Sequence, residues 1–431
     1  SGLGFSAKLP EPDLSPFASY PLASVKAFSI DNLETTEIDD AFSVEDAGEN
    51  YRIGIHIAAP ALAIERDDAI DRVAQSRYST VYAPGIKVTM LPESWANAFS
   101  LFENRDNVCL SLYAVIRKDD FEVITSETRL ERVFVAANLR TEKIEASLSP
   151  EGLENDTLTI PFAHELSVLY RAAERLQKHR EEVRGRPEIK NRTEYSIVLT
   201  GEGEDATVSL AERARGAPVD FIVSELMIFA NATWGGWLED THRAGIYRTQ
   251  SKGKVKMTSV AGPHDAIGVN SYAWCTSPVR RYVDLVNQRQ LISSVENREA
   301  VYRASDADLF SIISNFTFTY AAYGDFQRQM ERYWSLRYIE QEGFTTLRAV
   351  VIKEDLVQLE KMPFLQRIPG LPTLPRGQVI VLNVASIDYV SVVLDATLRE
   401  VLSENVSDEI DTESIEEVTV EVESQPEAQS A

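Results

Sequence analysis

The chain has 431 residues, a formal net charge of -24, 44% hydrophobic residues and 26% charged residues. This composition is typical of a soluble globular protein, and no apolar run approaches the roughly 18 residues that a membrane-spanning helix needs. The acidic balance argues against broad non-specific binding of nucleic acid, because phosphate binding needs lysine and arginine. A narrow channel lined locally by cations remains compatible with it.

The two cysteines, Cys109 and Cys275, lie far apart in the sequence and show no metal-ligand spacing. Few cysteines without a disulfide framework are typical of a reducing compartment. The chain also shows no basic segment followed by an apolar one, so we expect no signal peptide. These features predict a cytoplasmic location and no membrane partner.

In chain order, residues 1–25 are rich in proline and serine and are predicted to form a linker that leads into the fold. Residues 26–343 are predicted to form one domain with strands and helices. "YRIGIHIAA" (Tyr51–Ala59) alternates like a strand. Apolar spacing of about 3.6 residues predicts the helices, which are expected at Leu62 to about Ser79, within "HELSVLYRAAERLQKHREE", and at Pro218–Leu238, Pro278 to about Val295 and Ala307–Glu340.

The pattern changes after Gly343, where short apolar segments alternate with turn residues. Residues 344–403 are therefore predicted to form a small all-β barrel. Residues 404–431 are strongly acidic and contain no lysine or arginine, which predicts a disordered tail that a protein partner could contact. The fold class predicted from these parts is α+β, with a barrel and a tail after the main domain.

The stretch "IDNLETTEIDDAF" crowds acids between two predicted strands, with Asp31, Glu37, Asp39 and Asp40 the closest to strand residues. Burying uncompensated carboxylates is costly, so a cation among them is expected. Hard divalent ions such as Mg²⁺ prefer oxygen ligands, and a pair of ions can stabilise phosphoryl displacement. Spacing alone favours the simpler alternative, a solvated acidic turn.

A second stretch, "SYAWCTSPVRRYVDLVNQRQL", carries Pro278 where a helix can begin and Ser277 as a cap. Arg280 and Arg281 are then predicted in the first turns, where cations oppose the helix dipole and indicate an anionic partner such as phosphate. The alternative is that one or both arginines pair with Asp284 or another acid.

Together these segments resemble the catalytic domain of the ribonuclease II and ribonuclease R family, the RNB domain, over about Phe28–Tyr338. The acidic stretch is similar to the family signature that ends in Asp-Asp-Ala. Further stretches resemble family segments in the same order: "IGIHIAAPA", "SRYSTVYAPGIKVTMLPESWANAFSL", "IVSELMIFAN", "CTSPVRRYVDL" and "RQMERYW".

The resemblance implies an RNB catalytic domain followed by an OB-fold that binds RNA. It implies hydrolysis of single-stranded RNA from the 3′ end to nucleoside 5′-monophosphates by a two-metal mechanism, with Mg²⁺ as cofactor and Mn²⁺ as a substitute. The site residues it implies are Asp31, Glu37, Asp39 and Asp40 for the metals, Asp39, Arg280 and Glu331 for catalysis, and Tyr82, Glu225 and Arg281 for RNA. In this scheme Tyr82 stacks on a base, and Glu225 accepts from a ribose 2′-OH, the group that distinguishes RNA from DNA.

Three positions depart from the family pattern. Glu37 stands where aspartate is usual, Ala59 stands where aspartate is usual, and "LRTEKIEASL" lacks the family's tyrosine. These departures keep open a second hypothesis, a catalytically weak or inactive RNA-binding or assembly protein on the same fold. A DNA-directed nuclease is disfavoured only by Glu225.

Overall fold

The structure is a computed structural model that describes residues 9–187, 192–201, 203, 206–215, 217–251 and 253–406. The chain divides into two compact units. The first comprises Ser1–Val81, Lys87–Glu188 and Ala217–Tyr323, and the second comprises Tyr82–Ile86, Ile189–Gly216 and Gly324–Ala431. The predicted tail lies almost entirely outside the described residues, since β structure continues to Asn405 and the description ends at Val406.

The strands and helices have the following bounds. The strands of the described residues are β1 (Ala27–Asp31), β2 (Asp40–Ala47), β3 (Asn50–Ala58), β4 (Val81–Ala83), β5 (Ile86–Val88), β6 (Arg105–Arg117), β7 (Val123–Arg140), β8 (Arg192–Thr200), β9 (Thr207–Arg215), β10 (Tyr247–Thr249), β11 (Lys256–Thr258), β12 (Thr346–Lys353), β13 (Leu356–Leu359), β14 (Leu365–Arg367), β15 (Gln378–Asp388) and β16 (Val393–Asn405). The helices are α1 (Ala69–Arg77), α2 (Glu93–Phe99), α3 (Thr141–Ile144), α4 (Pro150–Glu154), α5 (Ala163–Arg184), α6 (Pro218–Asp240), α7 (Tyr282–Val295) and α8 (Ala307–Gln341).

The first unit is organised around a closed barrel in the order β1-β2-β3-β6-β7. Neighbouring strands are antiparallel except β1 and β7, which are parallel and close the barrel. Alternate residues of β3, namely Ile53, Ile55 and Ile57, enter a core that also contains Leu169 of α5 and Leu226 of α6. Burial of this apolar surface is the main stabilising term.

The opposite face of β3 holds a buried histidine. His56 lies between the hydroxyls of Ser43 and Ser111, with 2.8 Å from each ring nitrogen to a serine Oγ. Burial lowers the pKa of His56 to about 3, so the imidazole is neutral. Gly54 precedes it because a Cβ there would lie 2.6 Å from His56 Nε2, which only glycine avoids.

Helix α7 runs through the interior of the first unit, and every residue from 282 to 293 is buried. Its polar side chains bond to backbone groups of other segments. Asn287 pairs with the backbone of Ile246, and Gln288 Nε2 donates to Ala58 O at 2.7 Å. A buried polar helix is stable only when such groups are satisfied, so α7 fixes the segments around it.

The second unit contains a five-stranded antiparallel sheet in the order β14-β13-β12-β15-β16. Its core includes Val351, Phe364 and Ile380. Leu394 N of β16 donates to the Gln366 side chain of β14 at 2.9 Å, and Gln366 donates back to Leu394 O. The two edge strands are thus joined through one glutamine, and the sheet resembles a small OB-like barrel.

The mixed α and β fold class is confirmed, and α6 and α8 match their predicted bounds within two residues. Two helix predictions are wrong at their starts. Helix α1 begins at Ala69, because Asp68 caps it by accepting from Asp71 N. Helix α7 begins at Tyr282, four residues after Pro278. The hairpin of β8 and β9 was not predicted. No helix in the described part of the chain has the length and apolarity to cross a bilayer.

Candidate active site

The predicted acidic cluster lies on the connection between β1 and β2 in the first unit. Asp31 ends β1 and Asp40 begins β2, so barrel strands fix both ends of the loop. Between them Ile38 is fully buried, and its carbonyl accepts from Leu101 N at 2.9 Å. Because Ile38 anchors the loop, Glu37 and Asp39 on either side of it are also buried, at 2% and 0% exposure. The alternative of a solvated acidic turn is therefore wrong for this part of the loop.

Asp39 is bound by the segment that precedes α7. Its two carboxylate oxygens accept from Val279 N at 2.8 Å and from Arg280 Nε at 2.5 Å. Complete burial raises the pKa of Asp39 to about 6, although the Arg280 charge opposes that shift. The Arg280 side chain keeps 36% exposure, and the structure brings Asp39 and Arg280, two of the predicted catalytic residues, into contact.

Asp31 and Asp40 lie close enough for their charges to interact. Ser29 Oγ donates to Asp31 Oδ2 at 2.6 Å, whereas the Asp40 carboxylate accepts no hydrogen bond from the described residues. Burial raises the pKa of Asp31, and burial together with the negative charge of Asp31 raises the pKa of Asp40 to about 8. The protein leaves this pair of carboxylates short of positive charge.

Glu37 has different surroundings from the three aspartates. Its Oε2 lies 2.8 Å from Lys87 Nζ, and its Oε1 accepts from Thr80 Oγ1 at 3.1 Å. Lys87 also donates to Thr36 Oγ1 at 2.5 Å. Sequence reasoning missed Lys87, and no local pattern could have found it, because Lys87 lies on β5, 50 positions after Glu37, which lies in the loop before β2.

The donor set fits a hard divalent cation at the aspartates. Asp31, Asp39 and Asp40 offer carboxylate oxygens, the ligands that a hard divalent ion prefers, and desolvation raises the pKa of all three although the Arg280 charge opposes each shift. Over the described residues, no three side chains of His, Cys, Asp or Glu are already arranged as a metal-binding group.

Arg281 is held by Asp284 rather than pointing to a ligand. Its Nε and Nη2 donate to the two carboxylate oxygens of Asp284 at 2.8 and 2.7 Å, and its guanidinium lies 4.2 Å from the ring centre of Trp274. Asp284 also accepts from Ser277 N at 2.9 Å. The prediction that both arginines lie in the first helical turns is wrong: Arg281 is the residue before α7, and Arg280 lies in the preceding turn. The role of Arg281 in RNA binding stays a prediction.

Glu225 lies on α6 in a cavity of about 380 Å³ between α5, α6 and the segment 268–271. Arg180 of α5 donates to both of its carboxylate oxygens, with Nε at 2.9 Å from Oε2, and both side chains are more than nine-tenths buried. Ser271 also lines this cavity, is 8% exposed, and its Oγ has no partner among the described residues. The Glu225 carboxylate is therefore buried and is not a charge on the surface of α6.

Two predicted site residues belong to the second unit. Tyr82 lies on β4 with 41% exposure, as a ring that stacks on a ligand requires. Glu331 lies on α8, where Gln327 Nε2 donates to its Oε1 at 2.9 Å. Their assigned roles stay predictions.

Sequence reasoning also missed Arg180, whose helical spacing in α5 gives no sign of a buried partner 45 positions away.

Comparison with known proteins agrees with this fold. The RNB domain family profile matches residues 20–260 and 251–297. Exoribonuclease 2 of Yersinia enterocolitica is 25% identical over 336 residues, which cover 65% of this chain and 51% of that protein. Among solved structures, Mycoplasma genitalium RNase R in complex with ribose methylated single-stranded RNA is similar at a TM-score of 0.76 and 15% identity, over 91% of this chain and 74% of that one.

A yeast protein described as a pseudonuclease, Ssd1, is similar at a TM-score of 0.63 and 14% identity, over 88% of this chain and 54% of its own. The chain spans about half the length of the curated relatives it matches. Since the family profile covers more than half of it, the chain belongs to the RNB-domain family.

Proposed function

We propose that the protein is a Mg²⁺-dependent 3′-to-5′ exoribonuclease that hydrolyses single-stranded RNA to nucleoside 5′-monophosphates. The observation that carries the proposal is the meeting of Asp39 with Arg280 beside the under-neutralised pair Asp31 and Asp40. Phosphodiester hydrolysis requires acids that can bind a metal ion and a cation that can contact the phosphate. The aspartates and the partly exposed Arg280 are such groups. A structural ion pair would not need the extra aspartates.

Asp31, Asp39 and Asp40 would hold the metal, which supplies an activated water and offsets negative charge on the phosphate. Arg280 has a planar guanidinium that can bind two non-bridging phosphate oxygens. Its Nη2 also donates to Ser277 Oγ at 3.2 Å, which fixes the direction of the side chain. The exposed part of Arg280 then stabilises charge that develops on the phosphate.

The cavity at Glu225 suits recognition of a ribose hydroxyl. Arg180 fixes the Glu225 carboxylate in direction, because it donates to both oxygens. A carboxylate oxygen can accept more than one hydrogen bond, so a ribose 2′-OH could be a further donor to Glu225. The unpartnered Ser271 Oγ supplies a further polar group on the same wall. This arrangement supports RNA rather than DNA as substrate.

The test is degradation of a 5′-labelled single-stranded oligoribonucleotide by the full chain with Mg²⁺ or Mn²⁺. We expect a ladder that ends in a short limit product, release of nucleoside 5′-monophosphates and loss of activity in EDTA. A matched deoxyoligonucleotide should be cut much more slowly. Intact RNA with either metal would contradict the proposal, and equal cutting of DNA would contradict the role of Glu225.

The second candidate, an RNA-binding protein with little or no catalysis, is favoured by one observation. Glu37 is held by Lys87 and Thr80, so one of the four predicted metal ligands already has partners. This candidate predicts unchanged RNA binding and no turnover in both the native chain and Asp39→Asn. Turnover in the native chain that Asp39→Asn abolishes would exclude it. The cytoplasmic location and a protein partner for the acidic tail are further proposals, which fractionation and affinity capture would test.

A further inference from the structure

The ion pair of Glu37 and Lys87 lies on the loop between β1 and β2, where Glu37 is two residues before Asp39. Glu37 is 2% exposed, and both of its carboxylate oxygens are within bonding distance of a partner. Lys87 keeps 30% side-chain exposure and bridges Glu37 to Thr36. Lys87 thus contacts both Thr36 and Glu37, which come just before Asp39 and Asp40 in the sequence.

The lysine is held in place by the segment that carries it. Downstream of β5, Met90 N donates to Thr80 Oγ1 at 3.0 Å, and the same hydroxyl donates to Glu37. Arg77 Nη1 donates to Thr89 O at 2.6 Å. Because these bonds tie residues 89–90 to residues 77–80, the backbone that follows Lys87 cannot swing freely away from Glu37.

A divalent ion and a lysine ammonium compete for the same carboxylate oxygens. Mg²⁺ needs near-octahedral oxygen geometry, so a ligand must turn a lone pair toward it. The Glu37 oxygen that faces Lys87 is already bonded at 2.8 Å, and an ion placed there would also lie close to a like charge. Among the described residues Asp31 and Asp40 form no ion pair with a lysine or an arginine, whereas Asp39 accepts from Arg280 Nε at 2.5 Å.

We propose that Lys87 is an internal counter-ion that keeps Glu37 out of the metal ligand set, so that Asp31, Asp39 and Asp40 alone supply the acidic ligands. This inference rests on the proposed function, since it concerns the metal that function requires. It replaces the expectation that Glu37 coordinates a metal.

Glu37 then has a positioning role. Through Thr80 it is connected to the loop that carries the arginine, because Thr80 N donates to Arg280 O at 2.9 Å. A second backbone hydrogen bond joins the same two segments, since Tyr282 N donates to Tyr78 O at 2.8 Å. The pair of Glu37 and Lys87 therefore stabilises the strand-like contact that sets the position of Arg280.

The experiment measures Mn²⁺ binding to the full chain by electron paramagnetic resonance, so the readout does not depend on turnover. We expect Glu37→Gln to change the Mn²⁺ dissociation constant by less than about threefold, whereas Asp40→Asn weakens binding by at least ~10-fold, the range for loss of groups at a metal site. Lys87→Gln should tighten binding by about tenfold, because it removes a nearby positive charge and frees a carboxylate.

Lys118→Gln is the matched control, since Lys118 also pairs with an acid, Asp46, at 2.7 Å and has 28% side-chain exposure. It should leave Mn²⁺ binding unchanged. Lys87→Arg keeps the charge and should resemble the native chain, which guards against a folding defect in Lys87→Gln. Weakening by Glu37→Gln equal to that by Asp40→Asn would overturn the inference but leave the proposed function intact. A native chain that binds no Mn²⁺ would overturn both.

Discussion

Two groups of acids in the first unit have opposite surroundings. Asp71 is 1% exposed and accepts from Arg289 Nη2 at 2.6 Å, from the Tyr282 hydroxyl at 2.8 Å and from Asp67 N at 2.8 Å. Asp40 is half-buried and accepts no hydrogen bond from the described residues, and desolvation together with the charge of Asp31 raises its pKa to about 8, although the Arg280 charge opposes the shift. One acid is fully partnered within the fold, and the other is left with unbalanced charge.

The difference separates an acid that stabilises the fold from acids that serve the candidate site. A buried carboxylate with a complete set of donors stabilises the fold only as long as all of its partners are present. A buried carboxylate that lacks donors destabilises the folded protein until a ligand neutralises it, and such groups concentrate at functional sites. The same substitution, aspartate to asparagine, should therefore have opposite effects in the two groups.

The largest expected effect is on turnover. Asp40→Asn should reduce RNA hydrolysis by at least ~10³-fold, because it removes a charge that would hold the metal. In EDTA near pH 8 its melting temperature should equal or exceed that of the native chain, since a buried charge has been removed. Single-turnover assays and thermal unfolding measure the two quantities. A variant that is both active and less stable would place Asp40 in the same group as Asp71.

Arg289→Met tests the fully partnered group. Arg289 is 3% exposed and also donates to Ile64 O and the Tyr302 hydroxyl, so its loss leaves Asp71 buried without a countercharge. Breaking a buried pair of this kind typically costs about 3–5 kcal/mol of unfolding free energy. Denaturant unfolding at neutral pH measures the loss. The control is Arg52→Met, because Arg52 is partly exposed at the surface. A change below about 1 kcal/mol would contradict the comparison.

The cavity pair of Arg180 and Glu225 belongs to both groups, since it is fully paired yet faces a cavity. Arg180→Gln should loosen the Glu225 carboxylate and lower the preference for RNA over DNA by about tenfold, the effect of one charged hydrogen bond. Competition between matched RNA and DNA oligonucleotides measures the preference. Ser167→Ala is a control on the same helix, because Ser167 is buried but does not line the cavity. An unchanged preference in Arg180→Gln would separate this cavity from substrate recognition.

Long-range contacts mark the limit of what the sequence predicts. The periodicity of α6 and α8 extends over many turns, so their bounds were predictable from local pattern alone. The start of α7 was not, because Val279 N and Arg280 Nε bond to Asp39, and this contact across 240 positions or more holds the residues after Pro278 out of the helix. A proline after a serine looks the same whether or not a distant aspartate binds the following turn.

The residues of the candidate site also fall into those that a local motif predicts and those that only long-range contacts reveal. The acid cluster and the arginine were identifiable as motifs, and the structure brings Asp39 and Arg280 together. The partners Lys87 and Arg180 carry no motif, since their importance comes only from the carboxylates they meet in space. The alternating residues "TVSL" at the start of β9 (Thr207–Leu210) could have indicated a strand of the β8 and β9 hairpin, because alternation is typical of a half-buried strand.

The smallest expected effect is on the pH dependence of stability. The pKa values of Asp39 and Asp40 in the folded protein, about 6 and about 8, lie above the value of about 4 for an unfolded aspartate. Between about pH 4 and pH 8 the folded state therefore binds more protons than the unfolded state, so stability falls as pH rises through that window. In EDTA the melting temperature should fall by a few degrees between pH 5 and pH 8. Mg²⁺ should oppose this fall, because it binds the ionised carboxylates, and Asp40→Asn should flatten the profile. A native profile that rises toward pH 8 in EDTA would show that the aspartates are neutralised within the protein, which would remove the distinction from Asp71.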